Sequence, residues 1–257
     1  MGGALALALS KKISADNIIL SDVSAKKANA LSVSVGGAKI TDAKGVAASA
    51  DYIFLGVKPQ ILPSLLSDIE ETLAKRKDAF TLVSMAAGIS TSAIEKMCNA
   101  SYPIIRIMPN TPASVGEGMI LYCANDVASK EQIDTFISAM EMSGKLDKID
   151  EGKIDAASAL SGCGPAFVYM FAEALADGAV ECGLARDKAN LYAAQTLLGA
   201  AKMLIETGKH PGELKDAVCS PGGTTIAGVH ALEDGAFRAC VMDAVSSAYE
   251  RTLELKK

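Results

Sequence analysis

Two glycine-rich turns in the C-terminal half carry residue types suited to holding a small anion. Ser220-Pro221-Gly222-Gly223-Thr224-Thr225 and Ser161-Gly162-Cys163-Gly164-Pro165-Ala166 each break the chain just before a helical stretch. A glycine-rich entry to a helix presents unpaired N–H groups and a partial positive charge, which suits a carboxylate. The plainer reading of either turn is a helix–helix corner. In the N-terminal half, three loops follow apolar runs: Val57-Lys58-Pro59-Gln60, Ser84-Met85-Ala86-Ala87-Gly88, and Arg106-Ile107-Met108-Pro109-Asn110-Thr111-Pro112. Small residues at Ala86, Ala87 and Gly88 let a flat ring approach the backbone. Lys58 is either a cofactor contact or an ordinary solvated lysine. Each loop by itself reads as a turn. Together, at the carboxyl ends of successive strands, they outline the crevice where open α/β sheets bind ligands.

The rest of the composition narrows the chemistry by exclusion. The two histidines, His210 and His230, leave little for a metal hydrolase or a serine–histidine hydrolase. The six cysteines are scattered with no C-x-x-C pair. That argues against a zinc site or a disulfide framework and for buried free thiols in a reducing compartment. No metal is expected. The net charge of −5 and the lack of any basic block make nucleic acid an unexpected partner. No apolar run approaches the roughly 18 residues of a membrane span, so no membrane is expected. Met1–Leu9 is apolar but lacks the basic start and small-residue cleavage site of a secretory signal, which leaves the cytoplasm. With 50% hydrophobic residues, 5% aromatics and no Trp, the core must rely on close helix packing.

These loops need a scaffold, and the periodicity supplies one. Strands are predicted at 17–20, 38–40, 51–57, 80–84 and 103–108, alternating with helices at about 25–35, 43–48, 59–74 and 91–97. The run Asp51–Val57 reads as a strand buried on both faces. Such alternation indicates βαβ units and a parallel sheet. Strands at 118–123 and 145–149 flank a helix at 130–143. Beyond Glu151 only helices are predicted, at about 154–160, 165–182, 188–206, 212–217, 225–233 and 236–255. In the second of these Phe167, Phe171, Ala174 and Val180 fall near one face. Ala193-Ala194 and Gly199-Ala200-Ala201 offer small residues for close helix approach. The expected fold is a doubly wound, Rossmann-like, mostly parallel sheet followed by an all-α domain. The boundary is set near Asp150, giving a dinucleotide-binding domain over 1–150 and a helical substrate and dimerisation domain over 151–257.

A doubly wound nucleotide-binding domain opens with a strand, a G-x-G-x-x-G turn and a helix. This chain opens Met1-Gly2-Gly3-Ala4, which reads as the end of that turn running into its helix. Gly2 is therefore a candidate cofactor contact, and the sheet is expected to lack its first strand. A misplaced start or a truncated chain explains that reading. The next strand ends Leu20-Ser21-Asp22. Asp22 suits ribose hydroxyls, whereas Ser21 and Ser24 with Lys26 and Lys27 tolerate the extra phosphate of NADP. Asp22 or Ser24 as a simple helix cap is an equal alternative.

Taken in order, these motifs resemble the pyrroline-5-carboxylate reductases over nearly the whole chain, from Gly2 to about Leu255. The most specific pieces are Met108–Pro112 with Gly116-Glu117-Gly118, Ser161–Ala166 with Glu173-Ala174-Leu175-Ala176-Asp177, and Ser220–Thr225. The resemblance implies NADPH- or NADH-dependent reduction of the C=N bond of 1-pyrroline-5-carboxylate to L-proline. It implies substrate contacts from Ser220, Gly222, Gly223, Thr224 and Thr225, with the Thr225 hydroxyl hydrogen-bonded to the ring nitrogen. It further implies that Val57, Lys58, Pro59, Ala86, Ala87, Gly88, Met108, Pro109 and Asn110 line the cofactor. Dimers or higher homo-oligomers through the helical half are also implied. An imine already accepts hydride once protonated, which suits a chain poor in histidine. Cys163 reads as a small turn residue rather than a nucleophile.

Two rival readings are carried forward. A 3-hydroxyacid dehydrogenase of the same plan needs a helix-borne lysine base, and the helix over 165–182 has no lysine. A non-catalytic paralogue with a binding or regulatory role is the alternative from a different class.

Overall fold

The computed structural model describes residues 1–254. By packing they fall into two units, one formed by Met1–Cys163 with the turns from Ala248 onward, the other by Gly164–Ser247. The predicted end of the last helix at Leu255 lies outside the described residues.

The first unit begins with α1 (Gly2–Leu9), β1 (Ile19–Leu20), α2 (Ala25–Ser34), β2 (Lys39–Ile40), α3 (Ala43–Ser49) and β3 (Tyr52–Leu55). There follow α4 (Leu62–Ala74), β4 (Thr81–Ser84), α5 (Thr91–Cys98), β5 (Ile104–Met108), β6 (Gly118–Ala124), α6 (Lys130–Met140), β7 (Gly144–Lys148) and α7 (Ile154–Ser161). The strands make two sheets. β1 and β2 form a parallel pair, and the other five lie in the order β3-β4-β5-β6-β7, parallel except between β5 and β6. This is the expected Rossmann-like, mostly parallel architecture, interrupted between β1 and β3.

Helix α1 links the two sheets. Its sequence, GGALALAL, is apolar all round, the pattern of a helix with cover on more than one side. Leu5 packs with Val83, Ile105 and Ile107 of the larger sheet. Ala6 packs with Ile18 and Leu20 beside the smaller one, and Leu9 touches both clusters.

Strands β4 and β5 are buried at every position, as parallel central strands must be. β3 departs from expectation. Ile53 and Leu55 are buried while Tyr52 and Phe54 are half-buried, because β3 is an edge strand of the larger sheet. The predicted helix at 59–74 begins as a 3-10 turn, Pro59–Ile61, and only then becomes α4. Leu62, Leu66, Ile69 and Leu73 form its buried stripe at helical spacing. α6 opens with a capping box in which Ser129 and Gln132 each satisfy the other's backbone N–H.

The second unit holds α8 (Gly164–Glu181), α9 (Arg186–Thr207), α10 (Pro211–Ala217), α11 (Thr224–Asp234) and the first turns of α12 (Phe237–Glu254). α8 ends in a Schellman motif, with Leu184 N–H to the Ala179 carbonyl, Gly183 N–H to the Val180 carbonyl, and Gly183 at φ +95°. The reversed chain packs α9 on α8 through Ala176, Ala189 and Ala193. Of the predicted small-residue positions on α9, Ala193 makes that contact, while Ala194 and Ala200 are exposed. On α8 the buried residue is Ala176; Ala174 is exposed, and Phe167, Phe171 and Val180 are half-buried.

The sequence reading needs two further corrections. Glu151–Glu181 forms one helical stretch long and apolar enough, by length and composition, to cross a membrane, with 11% of its most apolar window buried. Glycines and serines break up its apolar character, so no single hydrophobic run announces it. The cysteines are all free, but only Cys98 and Cys123 are buried; Cys163, Cys182 and Cys240 are exposed. Burial pushes the Cys98 and Cys123 thiols up to about 11.

Candidate functional site

The loops after β3, β4 and β5 leave the sheet at its carboxyl edge. After β3, Gly56 lies beside the start of α1, where a Cβ on Gly56 would sit 3.9 Å from the Gly2 Cα. Val57 and Pro59 are half-buried and Lys58 is exposed. Gly2 has open space where a side chain would be, and the α1 N-terminus has no side-chain cap. The Ala4 N–H bonds the Met1 carbonyl at 2.8 Å, and no side chain caps the N–H groups ahead of it; an uncapped helix N-terminus is an arrangement that can receive a phosphate.

After β4, the buried Ser84 hydroxyl accepts the Ala86 N–H at 3.3 Å. Ala86 is buried and Ala87 exposed, and Gly88 takes φ +76°. The chain then enters α5, whose N-cap Ser90 accepts the Ala93 N–H at 3.2 Å.

After β5, Met108, Pro109 and Asn110 are all buried. Asn110 acts as a brace: its Oδ1 accepts the Met119 N–H at 3.0 Å and its Nδ2 donates to the Ser161 carbonyl at 2.9 Å. It thereby ties this loop to β6 and to the end of α7. The 3-10 helix Thr111–Val115 that follows packs against α1. Gly118 lies so close to its surroundings that a Cβ would come within 2.7 Å of the Ser143 carbonyl oxygen and 2.8 Å of Ala113. Such an approach admits only glycine.

Ser21 and Asp22 are exposed at the end of β1. The Asp22 carboxylate accepts the Ser24 N–H at 2.8 Å, an Asx turn, and the Ser24 side chain makes no helix-cap bond. Of the cap alternatives, Asp22 thus caps a turn and Ser24 caps nothing. Gly2, Val57–Pro59, Ala86–Gly88 and Met108–Asn110 lie at the carboxyl edge of the larger sheet or beside it; Ser21 and Asp22 lie at the end of the smaller one.

Sequence reasoning missed the charges behind these loops. Arg106 is 2% exposed, in the middle of an otherwise apolar strand. Its guanidinium meets Glu151 at 3.2 Å and Asp155 at 2.9 Å. Glu151 also accepts the Thr91 N–H and hydroxyl, each at 2.8 Å. The signal was present in Ile104-Ile105-Arg106-Ile107-Met108: an arginine inside a fully apolar run must find carboxylates. Which carboxylates it finds is not a local property.

In the second unit, Ser220–Gly223 is a tight turn closed by the Gly223 N–H on the Ser220 carbonyl at 3.0 Å, with Gly222 at φ +67°. A Cβ on Gly223 would lie 2.3 Å from the Ser220 Oγ. Gly223 is the N-cap of α11 and offers no side-chain cap to the N–H groups of Thr224 and Thr225. Both threonines are exposed. The Ser161–Ala166 turn is less open than expected. The Gly162 N–H bonds the Ser158 carbonyl at 2.8 Å, which carries α7 onward and removes a donor from the predicted anion site. Among the described residues, no group of three or more His, Cys, Asp or Glu gathers where a metal would bind.

Residues 151–255 match the family model described as pyrroline-5-carboxylate reductase dimerisation, and residues 1–88 match that described as NADP oxidoreductase coenzyme F420-dependent. The chain is 42% identical to pyrroline-5-carboxylate reductase 3 of Danio rerio over 255 residues, covering 99% of this chain and 87% of that one. It is 46% identical to the pyrroline-5-carboxylate reductase of Arabidopsis thaliana over 214 residues, covering 82% and 75%. Among solved structures, pyrroline carboxylate reductase of Plasmodium falciparum with NADP bound matches at a TM-score of 0.89 and 32% identity, covering 100% of this chain and 95% of that one.

Proposed function

The chain belongs to the pyrroline-5-carboxylate reductase family, and on that premise we propose how its residues divide the work of reducing 1-pyrroline-5-carboxylate to L-proline, the last step of proline biosynthesis. NADPH or NADH supplies the hydride, and the protein's part is to bind, orient and exclude water. The α1 N-terminus at Gly2 receives the pyrophosphate. Ser21 and Asp22 meet the adenosine ribose side. Val57, Lys58 and Pro59, with Ala86, Ala87, Gly88, Met108, Pro109 and Asn110, line the nicotinamide half.

The observation that carries the substrate reading is the first turn of α11. Its N–H groups have no side-chain cap, and a Cβ on Gly223 would press on the Ser220 hydroxyl at 2.3 Å and approach its carbonyl at 3.1 Å. Ser220, Gly222, Gly223 and Thr224 hold the ring carboxylate there, largely through backbone N–H groups. The Thr225 hydroxyl donates to the ring nitrogen, where the reduced product gains its electron pair. Residues 1–150 serve the dinucleotide, and residues 151–257 serve substrate and dimerisation. The apolar Glu151–Glu181 stretch is covered by a second copy of the chain rather than by lipid. The protein works in the cytoplasm as a homodimer or higher homo-oligomer, with neither nucleic acid nor membrane as partner.

NADPH and NADH oxidation in the presence of 1-pyrroline-5-carboxylate tests the activity. Thr225→Ala is expected to lower kcat about 10²–10³-fold, the usual cost of a donor made use of in the transition state. Thr224→Ala should cost much less. Equal, small losses from both would remove Thr225 from the mechanism. A folded wild type that binds substrate without turnover would favour the non-catalytic alternative.

A further inference from the structure

The charge cluster behind β5 does more than neutralise an arginine. Arg106, 2% exposed, faces two carboxylates, Glu151 Oε1 at 3.2 Å from Nη1 and Asp155 Oδ1 at 2.9 Å from Nη2. One carboxylate would balance one guanidinium. The second, Glu151, is engaged elsewhere as well: its Oε1 accepts the Thr91 N–H and its Oε2 the Thr91 hydroxyl. A single carboxylate thus joins the start of α5, the middle of β5 and the turn before α7. α5 already has a side-chain cap from Ser90, so Glu151 is not needed for that purpose.

Two of the joined segments adjoin loops assigned to the cofactor. Thr91 follows the Ala86–Gly88 loop within one turn, and Arg106 directly precedes Ile107 and Met108. Asn110 continues the chain of contacts to the Ser161 carbonyl, at the end of the helix that carries Asp155. The planar guanidinium suits this bridging because its fork reaches two carboxylates in fixed directions, which a lysine ammonium does not.

We propose that Glu151, oriented by Arg106, is a positioning residue that holds the Ala86–Gly88 and Met108–Asn110 loops in register, so that cofactor affinity depends on it more than the chemical step does. This rests on the reading that those loops line the cofactor. Glu151 is also the member whose removal is best tolerated. It leaves Arg106 paired with Asp155, and its side chain is 31% exposed against 6% for Asp155. Replacing Arg106 would instead take the buried guanidinium away from both carboxylates at once.

The test uses the full chain with Glu151→Ala, Glu151→Gln and Thr91→Val beside wild type, with NADPH affinity by fluorescence titration and KM for NADPH set against kcat. Glu151→Ala is expected to weaken NADPH about 10-fold while kcat at saturating NADPH stays within about twofold, below the ~10²-fold that a 1 Å misplacement can cost. Glu151→Gln keeps an acceptor for Thr91 and should recover most of the loss. Thr91→Val should fall between Glu151→Gln and Glu151→Ala. A lowered Tm with unchanged NADPH affinity overturns the proposal, as does a fall in kcat at unchanged KM. A wild type that binds no NADPH counts against the cofactor reading itself. The clamp is then judged by amide hydrogen exchange: faster exchange at residues 86–91 in Glu151→Ala sustains it, and unchanged exchange there overturns it.

Discussion

In the first unit the larger sheet and the helices packed on it bury large side chains in two cores, Leu82 with Leu62, Leu66 and Ile69 of α4 in one, and Val83, Ile105 and Ile107 with Phe136 of α6 in the other. In the second unit the buried cluster is three alanines, Ala176, Ala189 and Ala193. Large apolar side chains there are outside: Met170 is 70% exposed, Leu191 58% and Ile205 79%. Large apolar side chains left in water on this scale are the mark of an interaction face. The first unit closes its own core, whereas the second presents its apolar residues to a partner, as its match to a dimerisation family leads one to expect.

Substitution of one aromatic in each unit sharpens the contrast most. Phe136 is 1% exposed and lies between the rings of Phe54 and Tyr122. Phe136→Ala should cost about 3–5 kcal/mol in denaturant unfolding. Phe171 is half-buried against Phe237, at 5.5 Å between ring centroids. Phe171→Ala should cost about 1–2 kcal/mol. Equal losses would mean that the second unit has a core of its own.

Next in size is the effect on assembly. Met170→Asp or Leu191→Asp is expected to weaken self-association by about 10²-fold, because a carboxylate is taken out of water with no partner. Val33→Asp in the first unit, at a residue 81% exposed, should leave it unchanged. Light scattering across a dilution series reads both. A monomer in wild type, or equal weakening at Val33, breaks the comparison.

The smallest perturbation of the fold is read at thiols, as a reaction rate. Burial raises Cys98 and Cys123 to about 11 from an ordinary 9.0, so both stay neutral at working pH. That is about a 10²-fold lower thiolate fraction, and the thiolate is the nucleophile. Alkylation of the native protein at pH 8 should spare both, and their labelling should rise only as the pH climbs toward 11. Cys182 and Cys240, exposed in the second unit, should label first, and more slowly as a second copy covers that face. Fast labelling of Cys98 or Cys123 would show that the first unit opens readily.

Much of this was legible along the chain. The alternation that predicted β4, β5 and their helices is a local signal, and so are the glycines that bend the chain at Gly222 and Gly88. The misses share a cause. β3 read as doubly buried because the largely apolar run Asp51–Val57 resembles a central strand, but its place at a sheet edge depends on which strands pair. The Ser161–Ala166 turn read as open because Gly and Pro usually break helices; here Gly162 stays helical and keeps its bond to Ser158.

By itself, then, the sequence determined the order of strands and helices, the glycine-rich entry to α11, and the placement of small residues at the end of β4. These follow from residue type at short range: side-chain period, backbone freedom and capping. Only the tertiary structure decided that Arg106 would pair with Glu151 and Asp155, that Glu151 would reach Thr91, and that α1 would join two sheets. Those choices are made by long-range packing, since a buried charge or an apolar helix states only that it needs a partner, and the folded topology selects the partner.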